Sequence, residues 1–190
     1  IDRVDHSKKI KYLKILNKIE LLNGKRKISI EPNEASLEVE FQLDYKNKII
    51  GKQKNVINFQ KDDLNDVSNS RTFCLYEDIE KIKKIGLAKG GSLDNAVVVD
   101  NEKVLNEGGL RNEKEFVNHK ILDLAGDFLL SGHRVLGKVT CFQGGHELTN
   151  MFLRKIFKSQ NSFVIIENKK VNIAEKTVNS FKLEKIAVNA

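Results

Sequence analysis

The chain has 190 residues, 40% of them hydrophobic and 31% charged, and a formal net charge of +7. That is enough apolar material for one real core or two small ones. No run approaches the ~20 apolar residues of a membrane-spanning helix and no signal peptide stands out, so the expected setting is cytoplasmic, with no transmembrane segment. The charge is concentrated at the start, where residues 1–27 hold nine Lys or Arg against three Asp or Glu, leaving 24 against 23 for the rest. A nucleic-acid platform interleaves aromatic rings with its cations. Only Tyr12 does so here, and no nucleic-acid partner is expected.

Residues 10–21 alternate loosely, with Leu13, Ile15, Ile19 and Leu21 on one side, and predict a strand. Asn23-Gly24 predicts a hairpin with both residues at its centre; Lys27–Glu31 returns and Pro32 stops it. Leu37, Val39, Phe41, Leu43 and Tyr45 alternate without a break, a half-buried strand. Ile49-Ile50 and 56–59 add strand candidates, giving an antiparallel meander with one wet face. A short helix is expected over 62–68 and an extended piece over 71–75. Ile79, Ile82, Ile85 and Leu87 predict a helix over 77–85 with Gly86 at its C-terminal end. Gly90-Gly91 then turns the chain into Ala96-Val97-Val98-Val99, a buried strand. A helix over 114–130 closed by Gly132, a strand through Val135, Gly137, Val139 and Cys141, a helix over 148–157 and a strand over 163–166 complete the chain. The fold class is α+β: an antiparallel-rich sheet with helices packed on one face, a two-layer sandwich, plus a strand–helix–strand insertion. Cys74 and Cys141 lack any CxxC spacing and are read as free thiols.

Within the 114–130 helix, His119, Asp123 and Asp127 recur at one-turn spacing along an otherwise apolar segment. Buried carboxylates are costly unless paired or bound to a metal. His119 and Asp123 could therefore hold a metal from one helix face, or form an ordinary ion pair; spacing alone leaves both open. Lys120, beside them, could meet an anionic group or be solvated. His146 follows Gly144-Gly145 in an expected loop, where glycine allows close approach or positive φ. It could act as an acid or base, or be a plain loop histidine.

Several stretches match a known pattern in order and spacing from about residue 70 to 157, and more loosely from residue 8. They are Ser70-Arg71-Thr72-Phe73, Gly90 to Asp94 leading into Ala96–Asp100, Val104–Arg111, Glu115–Asp127, Ser131-Gly132-His133 and Gly144-Gly145-His146. Together they resemble the zinc-dependent UDP-3-O-acyl-N-acetylglucosamine deacetylases, hydrolases of lipid A and lipopolysaccharide biosynthesis in Gram-negative bacteria. The resemblance implies the second of two α+β domains whose helix layers pack together. Residues 9–160 would be that domain, 1–8 a linker remnant and 161–190 a C-terminal strand and tail. The insertion over about 73–99 would form a passage for the substrate's acyl chain.

By the same resemblance, His119 and Asp123 are two of three protein ligands of a Zn2+ ion. His146 is the general acid, Asp127 the carboxylate that orients it, and Thr72 the hydroxyl that stabilises the oxyanion. Lys120, Phe73, Leu75, Ile79, Gly91 and Ser92 contact the UDP-linked acylated glucosamine. The family's third ligand and general base form a Glu-His pair in the first domain, and no such dipeptide occurs here. With the missing initiator Met, this leads to the expectation of a fragment lacking that first domain and inactive alone. The alternative is a non-catalytic module that keeps the acyl and UDP-sugar contacts.

Overall fold

A computed structural model describes residues 10–86 and 88–168. The linker expected at 1–8, the tail past 168 and Leu87 of the expected helix lie outside them. Five strands come first: β1 (Ile10–Ile15), β2 (Ile19–Asn23), β3 (Arg26–Glu31), β4 (Leu37–Asp44) and β5 (Lys52–Asn58). A short helix α1 (Asn65–Ser68) leads into the insertion, β6 (Thr72–Leu75), α2 (Ile79–Lys84), β7 (Ala96–Asp100) and β8 (Lys103–Val104). The long helix α3 (Glu115–Phe128), the strand β9 (Arg134–Phe142), the helix α4 (His146–Lys158) and β10 (Phe163–Asn168) follow.

The first strands do not form the expected meander. β9, from the far end of the chain, lies between β3 and β4 and pairs antiparallel with one and parallel with the other. It also pairs parallel with β1 through Val135. The seven-stranded sheet is thus mixed, with antiparallel β2–β3, β4–β5 and β1–β10 ribbons added around β9. Alternation along each strand was legible; the partner was not, because pairing is set by the register of distant segments.

Three local corrections have physical causes. The strand expected over 10–21 breaks at Leu16–Lys18, where the chain leaves one partner for another and the N–H groups of Leu16 and Asn17 donate to the Ser162 carbonyl. In the hairpin, Asn23 pairs with Arg26, so the central residues are Gly24 and Lys25, and Gly24 alone takes positive φ, +60°. A glycine at the first central position suits this loop. Ile49-Ile50 sits in a turn rather than a strand, because the Asn47 side chain accepts from both their N–H groups at 2.9 and 3.2 Å. Ile50 still reaches the core.

One face of the sheet carries Leu13, Ile15, Ile28, Ile30, Val39, Phe41, Val139 and Cys141 into a core closed by Phe116, Val117, Ile121, Leu124 and Phe128 of α3 and by Leu148, Phe152 and Ile156 of α4. The other face carries cross-strand ion pairs between exposed lysines and exposed or part-buried carboxylates, among them Lys54–Glu40, Lys138–Glu38 and Lys27–Glu20. The α+β two-layer architecture is therefore as expected. The insertion forms its own three-stranded sheet, β6 parallel to β7 and β7 antiparallel to β8. Both cysteines are free. No helix among the described residues is long and apolar enough to cross a membrane.

Gly137 lies where β9 packs most tightly. A Cβ there would sit 2.8 Å from Ile30 Cδ1 and 3.2 Å from Ile15 Cγ1. Overpacking of this kind typically costs about 1–3 kcal/mol. Gly137→Ala is expected to lower the unfolding free energy by that much, read as a lower urea midpoint at unchanged slope, whereas an unchanged midpoint would show that the two isoleucines move aside freely.

Candidate functional site

The site is built on one side of α3. Its apolar residues fix the rotation of the helix against the sheet, which leaves His119, Lys120, Asp123 and Asp127 part-buried along one flank. α4 then brings in His146. β9 ends at Phe142; Gln143 takes a positive φ of 53°, its N–H donating to the Gln42 carbonyl and its side-chain amide to the Asp44 carbonyl. The positive φ expected of the glycines thus falls on their neighbour. Gly144 is required for space instead: a Cβ would collide with the Cys141 sulfur and lie 3.4 Å from the Phe41 ring. Gly145 caps α4 and His146 is its first residue, two positions earlier than expected, so this histidine is on a helix rather than a loop.

Asp123 is the hub. Its Oδ1 lies 3.3 Å from His119 Nε2, its Oδ2 accepts from Lys120 Nζ at 2.7 Å, and Oδ2 also faces His146 Nε2 at 3.9 Å. Asp127 holds the other ring nitrogen of His146, with Nδ1 3.0 and 2.9 Å from its two oxygens. His119 Nδ1 meets the Ser70 carbonyl at 3.2 Å. A carbonyl only accepts, so Nδ1 carries the proton and the neutral ring presents the bare Nε2 lone pair to a carboxylate oxygen. At 3.3 Å this pair is bridged either by a proton on Nε2, as an ion pair, or by a metal cation.

That is the fit expected for a metal. Tetrahedral zinc with ligand bonds of ~2.0–2.1 Å would set its donor atoms about 3.3–3.4 Å apart. Burial pushes the His119 imidazole below its ordinary value of 6.5, against the raising effect of Asp123 and the Ser70 carbonyl, so the ring stays available as a ligand near neutrality. Among the described residues, no group of three or more His, Cys, Asp or Glu is placed to hold a metal.

The remaining expected residues lie on the insertion. Thr72 opens β6, exposed, two residues beyond the Ser70 carbonyl. The Phe73 ring packs edge-on to His119, Phe116 and Tyr45 with centroids 6.4, 5.0 and 5.9 Å away. Leu75 and Ile79 are half-buried. Gly91 and Ser92 lie in the exposed turn before β7, where the Ser92 hydroxyl accepts from Asp94 N–H at 3.2 Å. A cleft of about 760 Å³ between the insertion and the β4–β5 connection is lined by Tyr45, Leu75, Tyr76 and Val99 together with charged residues.

The sequence reading overlooked Glu115, which extends the His119 stripe back by one turn. Each four-residue step drifts about 40° around a helix, so Glu115 turns inward and is fully buried. Arg71 Nε donates to its Oε1 at 2.8 Å and Arg71 Nη2 to its Oε2 at 3.2 Å. The one-turn spacing was a visible signal; the partner, 44 residues away, was not. Asn106 was also overlooked. It is buried and ties the insertion together, accepting from Val98 N–H at 2.9 Å and donating to the Ala96 carbonyl at 2.8 Å.

Comparison with known proteins gives the family of the chain. A family model for UDP-3-O-acyl N-acetylglycosamine deacetylase matches residues 1–158. The chain belongs to the UDP-3-O-acyl N-acetylglycosamine deacetylase family. It is 36% identical over 186 residues to the UDP-3-O-acyl-N-acetylglucosamine deacetylase of Helicobacter pylori strain J99, covering 97% of this chain and 60% of that protein. The deacetylase of Syntrophotalea carbinolica is 39% identical over 162 residues (85% and 52%), and that of Haemophilus ducreyi 33% over 159 (82% and 52%). The chain thus spans about half the length of the curated deacetylases it matches.

Two titrations check the electrostatics. His119 is expected to titrate below 6.5 in the metal-free chain, read from its ring-proton NMR shift; a midpoint at or above the ordinary value would refute the burial argument. Glu115 lies below its ordinary 4.5: burial pushes it up, but the Arg71 guanidinium and the Arg111 and Arg71 N–H groups outweigh that. A carboxyl with a depressed folded pKa contributes stability above its unfolded value and loses it as pH falls through the folded one. Glu115→Gln should therefore flatten the loss of urea stability below about pH 4.5.

Proposed function

We propose that this chain is the second half of a cytoplasmic, zinc-dependent UDP-3-O-acyl-N-acetylglucosamine deacetylase. It would hydrolyse the acetamide of the UDP-linked acylated sugar and release acetate in lipid A biosynthesis. Residues 9–160 would form its second domain, with the third metal ligand and the general base supplied by a first domain of the same protein. The observation that carries this reading is that one side chain, Asp123, faces both the candidate ligand His119 at 3.3 Å and the candidate acid His146 at 3.9 Å. Family membership supports it independently.

His119 Nε2 and Asp123 Oδ1 would hold the zinc, which when bound acidifies water and polarises the acetamide carbonyl. Asp127 holds Nδ1 of His146 as its donor partner, so Nε2 is the nitrogen that would deliver a proton to the departing amine. The Thr72 hydroxyl would donate to the carbonyl oxygen as negative charge builds on it. Lys120 neutralises Asp123 Oδ2 and brings a cation to the edge of the site, where an anionic substrate group would meet it. The part-exposed apolar side chains of Phe73, Leu75 and Ile79, with Gly91 and Ser92 in the following turn, support the insertion over 73–99 as the wall of an acyl passage.

The test supplies a first half in trans. Co-expressed with the N-terminal domain of a related deacetylase, the chain is expected to bind about one zinc per complex and to release acetate from the UDP-sugar. His146→Ala or Asp127→Asn should lower kcat by roughly 10²–10⁴ while zinc content holds, the range of a lost general acid. Zinc binding without any turnover in the unmutated complex would overturn the deacetylase reading in favour of a binding module.

A further inference from the structure

Glu115 is fully buried, yet none of the chemistry above uses it. All its acceptor positions are occupied: Oε1 takes Arg71 N–H at 3.0 Å and Arg71 Nε at 2.8 Å, and Oε2 takes Arg111 N–H at 2.6 Å and Arg71 Nη2 at 3.2 Å. The guanidinium continues to the Gly109 carbonyl at 2.7 Å. Such a set matches a carboxylate and nothing else, since an amide in its place would turn an NH2 group toward two donors whichever way it flipped.

The contact to Arg71 N–H has a consequence for the metal ligand. That N–H and the Ser70 carbonyl belong to one peptide unit, which is planar and sets its N–H and C=O in opposite directions. One end donates to Glu115; the other accepts from His119 Nδ1. Glu115 and His119 are one turn apart on α3, so a single rigid plane spans them. The Ser70 hydroxyl pins the same residue from the far side by donating to the Asp66 carbonyl at 2.6 Å. Fixing the N–H on Glu115 thus fixes the direction of the carbonyl on the imidazole.

We propose that Glu115 is a positioning residue for His119: through the 70–71 peptide it selects the Nδ1–H tautomer and aims the Nε2 lone pair at the metal position beside Asp123. The inference rests on His119 being a metal ligand. Arg71 serves it by holding Glu115 ionised in a dry site, and Thr72, the next residue along, is placed by the same anchor.

Nitrogen-15 NMR of the full 190-residue chain, above the imidazole titration range, reads the tautomer directly from the His119 ring shifts and two-bond couplings. The expected result is a single Nδ1–H form in the unmutated chain. Glu115→Gln should convert it to a mixture with Nε2–H and weaken zinc binding, followed on the same resonances, by about tenfold, the low end for groups that orient metal ligands. Arg71→Lys keeps the peptide contact but removes the guanidinium fork; it should lower stability and leave the tautomer unchanged. An Nε2–H form in the unmutated chain overturns the proposal even if neither variant folds, and so does an unchanged tautomer in folded Glu115→Gln. A correct tautomer whose Nε2 resonance ignores added zinc even in the complex with a supplied first domain instead removes the metal reading and leaves the positioning intact.

Discussion

β9 is hydrogen-bonded along both edges, and most of the molecule is arranged by that fact. Val139 alone pairs with Ile30 on one side and Val39 on the other. Three strands that precede it by about a hundred residues cannot find their final neighbours until it arrives. Gly137, pressed against Ile30 and Ile15, shows how little slack the centre has. The C-terminal end of the strand then determines the site. Its last turn, through Gln143 and the glycine against Cys141, sets where α4 begins, and therefore where His146 meets Asp127.

Four polar residues of α3 spaced one turn apart show how one spacing yields different chemistry. Glu115, His119, Asp123 and Asp127 are each one turn from the next, but the stripe drifts around the helix as it climbs. Its first member is driven into the interior, where a carboxylate survives only with its lone pairs filled; its last faces the flank where α4 packs. Between them the His119–Asp123 pair is half-buried, dry enough to keep the imidazole neutral and open enough to take a ligand. Burial, more than residue type, separates the structural carboxylate from the others.

The insertion is attached to this helix at one edge. Ser70 and Arg71 run along α3 before the chain enters β6 at Thr72, so the segment that orients His119 also launches the small sheet. Asn106 closes the far side by serving β7 and the turn before it through one side chain. The polar site and the apolar insertion are in this way mechanically one unit.

The sequence by itself determined most of the elements, the α+β class and the polar stripe on α3, because alternation and helical period are local and each burial preference is expressed within a few residues. It placed the ends of α2, α3 and α4 to within two residues, whereas the short helix expected over 62–68 forms only over Asn65–Ser68. It did not determine that β9 would divide β3 from β4, that His146 would start a helix, or that Glu115 would bind Arg71. Each of these depends on segments 40 to 110 residues apart meeting in one register. Only packing selects such encounters, since backbone pairing is available to any strand and a buried charge declares its partner only once water has been excluded.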